Sequence, residues 1–200
     1  VNRLTLTLLF LAGLALLVLL MWWGYRNRAR RQAKVLPPFP DAPAALLAAV
    51  RDGSAVTLLP PSTGVYASTV TAASWQDRVA VGDLGFRADA TAHLVTDGLL
   101  LDRVGATPVW IPAASVREAR TEAGIAGKVM GGDGVLVVRW AVDGHEFDTG
   151  FRADDKDDYD LWVPAVRALR PTGSADSNGS TPTGTPVSAP APTPEVRDGE

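Results

Sequence analysis

The sequence predicts a mainly β domain: a small curved sheet of six or seven strands, closed by one C-terminal helix and preceded by one transmembrane α-helix. Three observations carry that expectation. Residues 4–23 contain no charged side chain and are dominated by leucine. Two pairs, Asp97-Gly98 and Asp143-Gly144, punctuate apolar runs, the strongest short-range hairpin signal. Tyr159, Trp162, Val166 and Leu169 recur at steps of three, four and three, which aligns them on one helical face.

The first element follows from length and flanks. Twenty residues rising about 1.5 Å each span about 30 Å, the hydrocarbon thickness of a bilayer. Trp22, Trp23 and Tyr25 close the run, where amphipathic rings favour the headgroup level. Arg26, Arg28, Arg30, Arg31 and Lys34 follow, and the three aromatic residues with the four arginines are the expected membrane-interface anchors. A cleaved secretory signal has a shorter apolar core and a small-x-small site before the charges; this run has neither, so it reads as an uncleaved anchor over residues 1–25. Only Arg3 precedes the span, and the basic excess after it belongs on the cytoplasmic side. The expectation is a single-pass plasma-membrane protein with its N-terminus outside and the rest of the chain cytoplasmic.

Residues 26–53 read as a basic juxtamembrane segment and proline-rich linker. Pro37, Pro38, Pro40 and Pro43 remove donors and restrict their predecessors, giving a stiff spacer over 35–43. Ala44–Val50 suits one or two helical turns, stopped at Asp52-Gly53. From Ser54 the pattern turns to that of strands: 55–59, 65–71, 92–95, 99–104, 109–111, 135–142 and 145–149. The segment Pro60–Gly64 is the expected first hairpin turn. Leu136, Val138, Trp140 and Val142 alternate and so share one face of a half-buried antiparallel sheet.

The last element has Asp154, Asp155, Asp157 and Asp158 in its first turns and Arg167 and Arg170 in its last, as the macrodipole favours. Pro164 is the misfit, costing about 3 kcal/mol or forcing a kink inside a helix; the helix either bends there or packs only from there on. Trp162 is the expected plug at the open end of the sheet. The domain is expected over 54–170. Residues 171–200 hold Ser, Thr, Pro, Gly and Ala with no Leu, Ile or aromatic, too little apolar surface to offset chain entropy, so disorder is expected there.

Five stretches, Trp75-Gln76-Asp77-Arg78-Val79, Leu84-Gly85-Phe86-Arg87, Ile111-Pro112-Ala113, Ala126-Gly127-Lys128-Val129 and Asp148-Thr149-Gly150-Phe151-Arg152, in this order and spacing, resemble a family of small actinobacterial membrane proteins. Its members join one N-terminal transmembrane helix to a PH-like domain and are often labelled export or transporter proteins. The resemblance covers roughly residues 1–170. It departs at Val70, where a second Thr is expected, and at Pro164. It implies a PH-like barrel and an intracellular, membrane-tethered domain. It does not imply transport, because one span cannot line a polar pathway.

Charge and chemistry narrow the function. Residues 1–40 carry 6 basic and no acidic side chains, residues 41–170 carry 12 against 18, and residues 171–200 carry 1 against 4. An acidic domain disfavours nucleic acid and anionic headgroups, and Pro60–Gly64 lacks the basic residues that phosphoinositide-binding PH domains carry around their first hairpin turn. With no Cys, thiolate metal sites, disulfides and cysteine nucleophiles are excluded. His93 and His145 are expected at exposed strand positions. The glycines around Lys128 fail as a phosphate loop, since Glu122 and Val129 occupy two required positions. An EF-hand started at Asp155 meets Tyr159, Asp160 and Val166 at positions five, six and twelve. No catalytic, cofactor-binding or metal-binding residue is assigned, and no small-molecule substrate is expected.

The sequence therefore points to a non-enzymatic, membrane-tethered binding module whose partners are the bilayer, through its helix, and a membrane-proximal protein. The alternative is an accessory subunit of a transport or export complex. Arg78, Arg87, Lys128 and Arg152 lie in the familiar stretches and are the interaction candidates, expected to cluster at one surface.

Overall fold

The structure, a computed structural model, describes residues 2–129 and 134–170, apart from the side chains of Lys128 and Val129. The expected disorder of 171–200 lies outside the described residues. Helix α1, Arg3–Gln32, runs unbroken through the apolar stretch and the basic segment beyond it. Arginine, alanine and glutamine are good helix formers, and the first proline comes only at Pro37. Among the described residues α1 is the one helix long and apolar enough to cross a membrane, and none of its residues is buried. Helix α2, Ala44–Asp52, ends at Gly53, whose φ of +77° is the left-handed cap that glycine adopts without a Cβ penalty.

The domain is one curled antiparallel sheet. Its strands are β1 (Ser62–Thr71), β2 (Ser74–Arg78), β3 (Ala88–Val95), β4 (Gly98–Arg103), β5 (Val109–Pro112), β6 (Val116–Glu122), β9 (Val135–Val142) and β10 (His145–Ala153), while β7 (Gly124–Ile125) and β8 (Lys128–Val129) form a separate hairpin. The order is β5-β4-β3-β1-β10-β9-β6, with β2 paired to the far end of β1. A bulge between Tyr66 and Ser68 bends β1 where it leaves β3 and goes on beside β10, with β2 on its other side at the far end. Inward residues of seven of these strands, from Tyr66 on β1 to Phe151 on β10, meet in a single core with Trp162, which requires the sheet to wrap round on itself.

Both Asp-Gly hairpins form. Asp143 and Gly144 take φ values of +47° and +79°, the pair of left-handed residues that a two-residue turn with the right twist needs. Leu136, Val138, Trp140 and Val142 face the main core as expected, but Val135 and Val137 are buried too, in a cluster on the opposite face. Likewise Leu99 and Leu101 face inward, while Leu100 packs outward with Val95, Trp110 and the α2 residues Leu46, Leu47 and Val50. Continuous apolar runs mark strands covered on both faces.

That cover corrects one expectation. His93 pairs with Leu100, the residue α2 roofs over, and is only 9% exposed, whereas His145 is exposed as anticipated. Two other expectations fail. Residues 55–59 are not a strand: the two prolines that follow offer no ladder donors, Val56 is 88% exposed, and the segment is held by the Leu58 N–H donating to the Leu94 carbonyl at 2.7 Å. Pro60–Gly64 is not the first hairpin turn either, since Ser62–Gly64 already pair with β3 and the chain turns at Ala72-Ala73.

Helix α3, Asp158–Ala168, packs along β6 and β9 and buries Tyr159, Trp162 and Val166. Leu169 completes the apolar face against the core. The helix runs through Pro164, and its packed part does not start there, since Tyr159 and Trp162 are buried before it. Pro164 lies on the exposed side, so the Asp160 carbonyl that loses its donor is open to water. The Arg167 guanidinium donates to the Ala119 carbonyl at 2.6 Å, which covers part of the free edge of β6.

Candidate functional site

The outer face of the sheet is built over by the β7–β8 hairpin. Ala126 and Gly127 turn it, at φ +56° and +75°, and Ile125 and Ala126 pack on Val70, Val135 and Val137. Gly150 of β10 makes room: a Cβ there would stand 2.7 Å from Ile125 Cγ2. The Arg78 guanidinium, at the end of β2, donates to the Ala126 carbonyl at 2.9 Å and fastens the hairpin down. Residues from three of the five familiar stretches thus meet in one device, with Arg78 as clamp, Ala126-Gly127 as turn and Gly150 as seat.

A fourth stretch forms the loop between β2 and β3, and the core pins it. Trp140 Nε1–H donates to Thr149 Oγ1 at 2.9 Å, Thr149 and Thr69 hydroxyls share a 2.7 Å hydrogen bond, Thr69 and Tyr66 share another at 2.7 Å, and the Tyr66 hydroxyl donates to the Leu84 carbonyl at 2.6 Å. Burial pushes the Tyr66 phenol pKa up, against the opposing pull of Thr69 and the Arg103 charge, so Tyr66 stays a neutral donor. Arg103, with a fully buried side chain, pairs with the Asp83 carboxylate, donates to the Thr107 carbonyl at 2.7 Å and lies 4.5 Å over the Tyr66 ring. A buried chain of satisfied hydrogen bonds is stiff.

On this pinned loop rests the C-terminal part of α1. Tyr25, Arg28 and Gln32 lie on one helical face. The Tyr25 ring meets Phe86 with centroids 5.3 Å apart, Arg28 pairs with Asp77, and Gln32 holds both ends of a peptide segment: its Nε2 donates to the Arg78 carbonyl at 3.2 Å and its Oε1 accepts from the Ala80 N–H at 2.7 Å. The linker after α1 also lies on the domain. Phe39 stacks edge-on against Phe147 at 5.1 Å and tilted against Trp140 at 5.9 Å, and it borders a cavity of about 190 Å³.

A charged cluster occupies the outer face of β6, β9 and β10. Asp148 accepts from Arg139 at 2.9 and 2.8 Å and from Arg120 at 2.9 Å, and Arg120 also reaches Glu122 at 2.6 Å. Burial alone would raise the Asp148 pKa, but the two guanidiniums outweigh it and hold the carboxyl below its ordinary value.

The interaction candidates are not gathered in one cluster. Arg78 is half-buried in its clamp, and the backbone of Lys128 pairs with Ile125 in the hairpin that Arg78 holds; the Lys128 side chain is outside the described residues. Arg152 is exposed on β10, in register with Val65 of β1, which also pairs with Asp89 of β3. Arg87 is exposed beside Phe86, at the α1 contact. Of the interface anchors, Trp22 and Trp23 are exposed on α1 and Arg26 lies 4.7 Å over the Trp22 ring, while Tyr25 and Arg28 turn toward the domain. Arg30 and Arg31 are exposed in its last turn. Sequence reasoning missed Gln32, Asp77 as its neighbour's partner, and Arg103; the helical spacing of Tyr25, Arg28 and Gln32 was the available signal.

The family model described as bacterial PH domain-like matches residues 36–167, well over half the chain, from the point where the linker meets the core to the last turn of α3. No curated protein matches the chain at a significant level.

Proposed function

The chain belongs to the bacterial PH domain-like family, a class of protein- or lipid-binding modules, and from that premise we propose that it is a non-enzymatic module held at the cytoplasmic face of the plasma membrane by α1. It presents the outer face of β1 and β10, around the β7–β8 hairpin whose backbone includes Lys128, to a membrane-proximal protein, with Arg78 and Arg152 as basic positions of that face. The observation that carries this reading is the clamp: Arg78 fixes a hairpin over Gly150, which makes a shaped surface where a plain sheet would otherwise be solvated. The domain's acidic excess makes an anionic lipid surface the poorer partner for that face. The tether raises the effective concentration of the module toward partners in the same membrane.

A photo-crosslinking residue at Arg152, in the full chain in native membranes, tests the reading. Discrete protein adducts are expected there and not at Leu161 on the exposed side of α3; lipid adducts alone, or none, overturn it. Replacing residues 4–23 by an unrelated apolar span preserves the adducts under this reading and abolishes them if the protein is an accessory subunit recognised through its span.

A further inference from the structure

Phe86 is 51% exposed although it lies in the pinned loop, and its one ring contact among the described residues is Tyr25 of α1. Its height is therefore fixed by the helix. Tyr25 lies two residues beyond Trp23, about 3 Å along the axis, and helical side chains lean back toward the N-terminus, here toward the apolar stretch. The headgroup layer on each side of a bilayer is about 5–7 Å thick, so a ring level with Tyr25 lies inside it. Of the acidic groups nearest α1, Asp77 is turned to Arg28 and Asp83 to Arg103, while Arg87 is exposed next to Phe86, with the exposed Asp89 two residues further on in β3.

We infer that Phe86 and Arg87 are a second, peripheral seat of the domain on the bilayer that α1 crosses, Phe86 among the glycerol and upper acyl groups and Arg87 at the phosphates. The inference rests on reading α1 as a membrane span. An aromatic ring at the interface beside a snorkelling arginine is the pairing this layer favours. The occupant is the lipid interface itself because Phe86 is joined through Tyr25 to the helix end that carries the exposed Trp22 and Trp23. The seat fixes the tilt of the sheet over the membrane, which a flexible tether would leave free.

Because the chain has no cysteine, single labels are straightforward. Phe86→Cys, Trp23→Cys and Leu161→Cys, each carrying an environment-sensitive fluorophore, are compared in the full chain reconstituted into phosphatidylcholine vesicles containing lipids spin-labelled at the headgroup. The expected result is quenching at positions 23 and 86 severalfold stronger than at 161. Quenching at 23 with position 86 no stronger than 161 overturns the second seat and leaves the span standing. No quenching at 23 overturns both. Arg87→Glu, with the label at 86, is expected to weaken quenching at 86 and leave 23 unchanged; equal quenching with and without the substitution removes Arg87 from the seat.

Discussion

Asp148 is the residue on which most of the outer-face charge converges. Its carboxylate is nearly buried and neutralises two guanidiniums at once, and removing one member of such a set leaves charges without compensation. Asp148→Asn should cost about 2–4 kcal/mol in chemical denaturation of the solubilised chain, with the fold otherwise kept. His93 sets a pH dependence. Burial pulls its pKa below the ordinary 6.5, against the raising influence of Asp102. The unfolded chain then binds a proton more readily than the folded one, so this contribution is complete above pH 6.5 and is lost as pH falls toward the folded pKa. Melting temperature should drop as pH falls below 6.5, and His93→Gln should flatten the drop. Neither role was legible from the residue types. A lone histidine on a strand reads as solvated until α2 is seen to cover that face, and Asp148 reads as one acid among many until three strands bring it to Arg120 and Arg139.

At the level of elements, the sequence was clearest where local chemistry and packing agree. Asp143-Gly144 demands a tight turn, and the spacing of Tyr159, Trp162 and Val166 demands a buried helix face; both form. The strands β2 and β6 were missed because Ser74–Arg78 and Val116–Glu122 are largely polar; β2 is held by the neighbouring β1 across the Ala72-Ala73 turn, and β6 by β9 further along the chain. The run 55–59 erred the other way, since apolar composition without a neighbour to pair with makes no strand. Pro164 shows how context overrides propensity: α3 runs through it because the buried face lies opposite. Pro164→Ala restores the hydrogen bond to Asp160 and should raise stability by about 1–2 kcal/mol, less than the full proline cost because proline also stiffens the unfolded chain. An unchanged melting temperature would mean that water already satisfies that carbonyl fully.

Across the whole molecule, the buried chain from Trp140 to Leu84, the Arg103 stake and the Gln32 bracket form one continuous link between the core of the sheet and α1. Gln32→Ala removes both bracket hydrogen bonds, worth about 1–3 kcal/mol of docking. Spin labels on residue 20 and residue 161 should then report a broadened distance distribution, while the melting temperature of the domain barely moves; a distribution as narrow as that of the unmodified chain would show that Arg28 and Tyr25 suffice. The bracket also sets an angular phase. A helix advances about 100° per residue, so one residue inserted upstream of Tyr25 would swivel the lipid-facing stripe of the span by that angle beneath a domain that stays put. Any neighbour gripping the span would consequently exert torque on the sheet, and the chain behaves less like a buoy on a rope than like a key whose shaft and blade are cut in one piece.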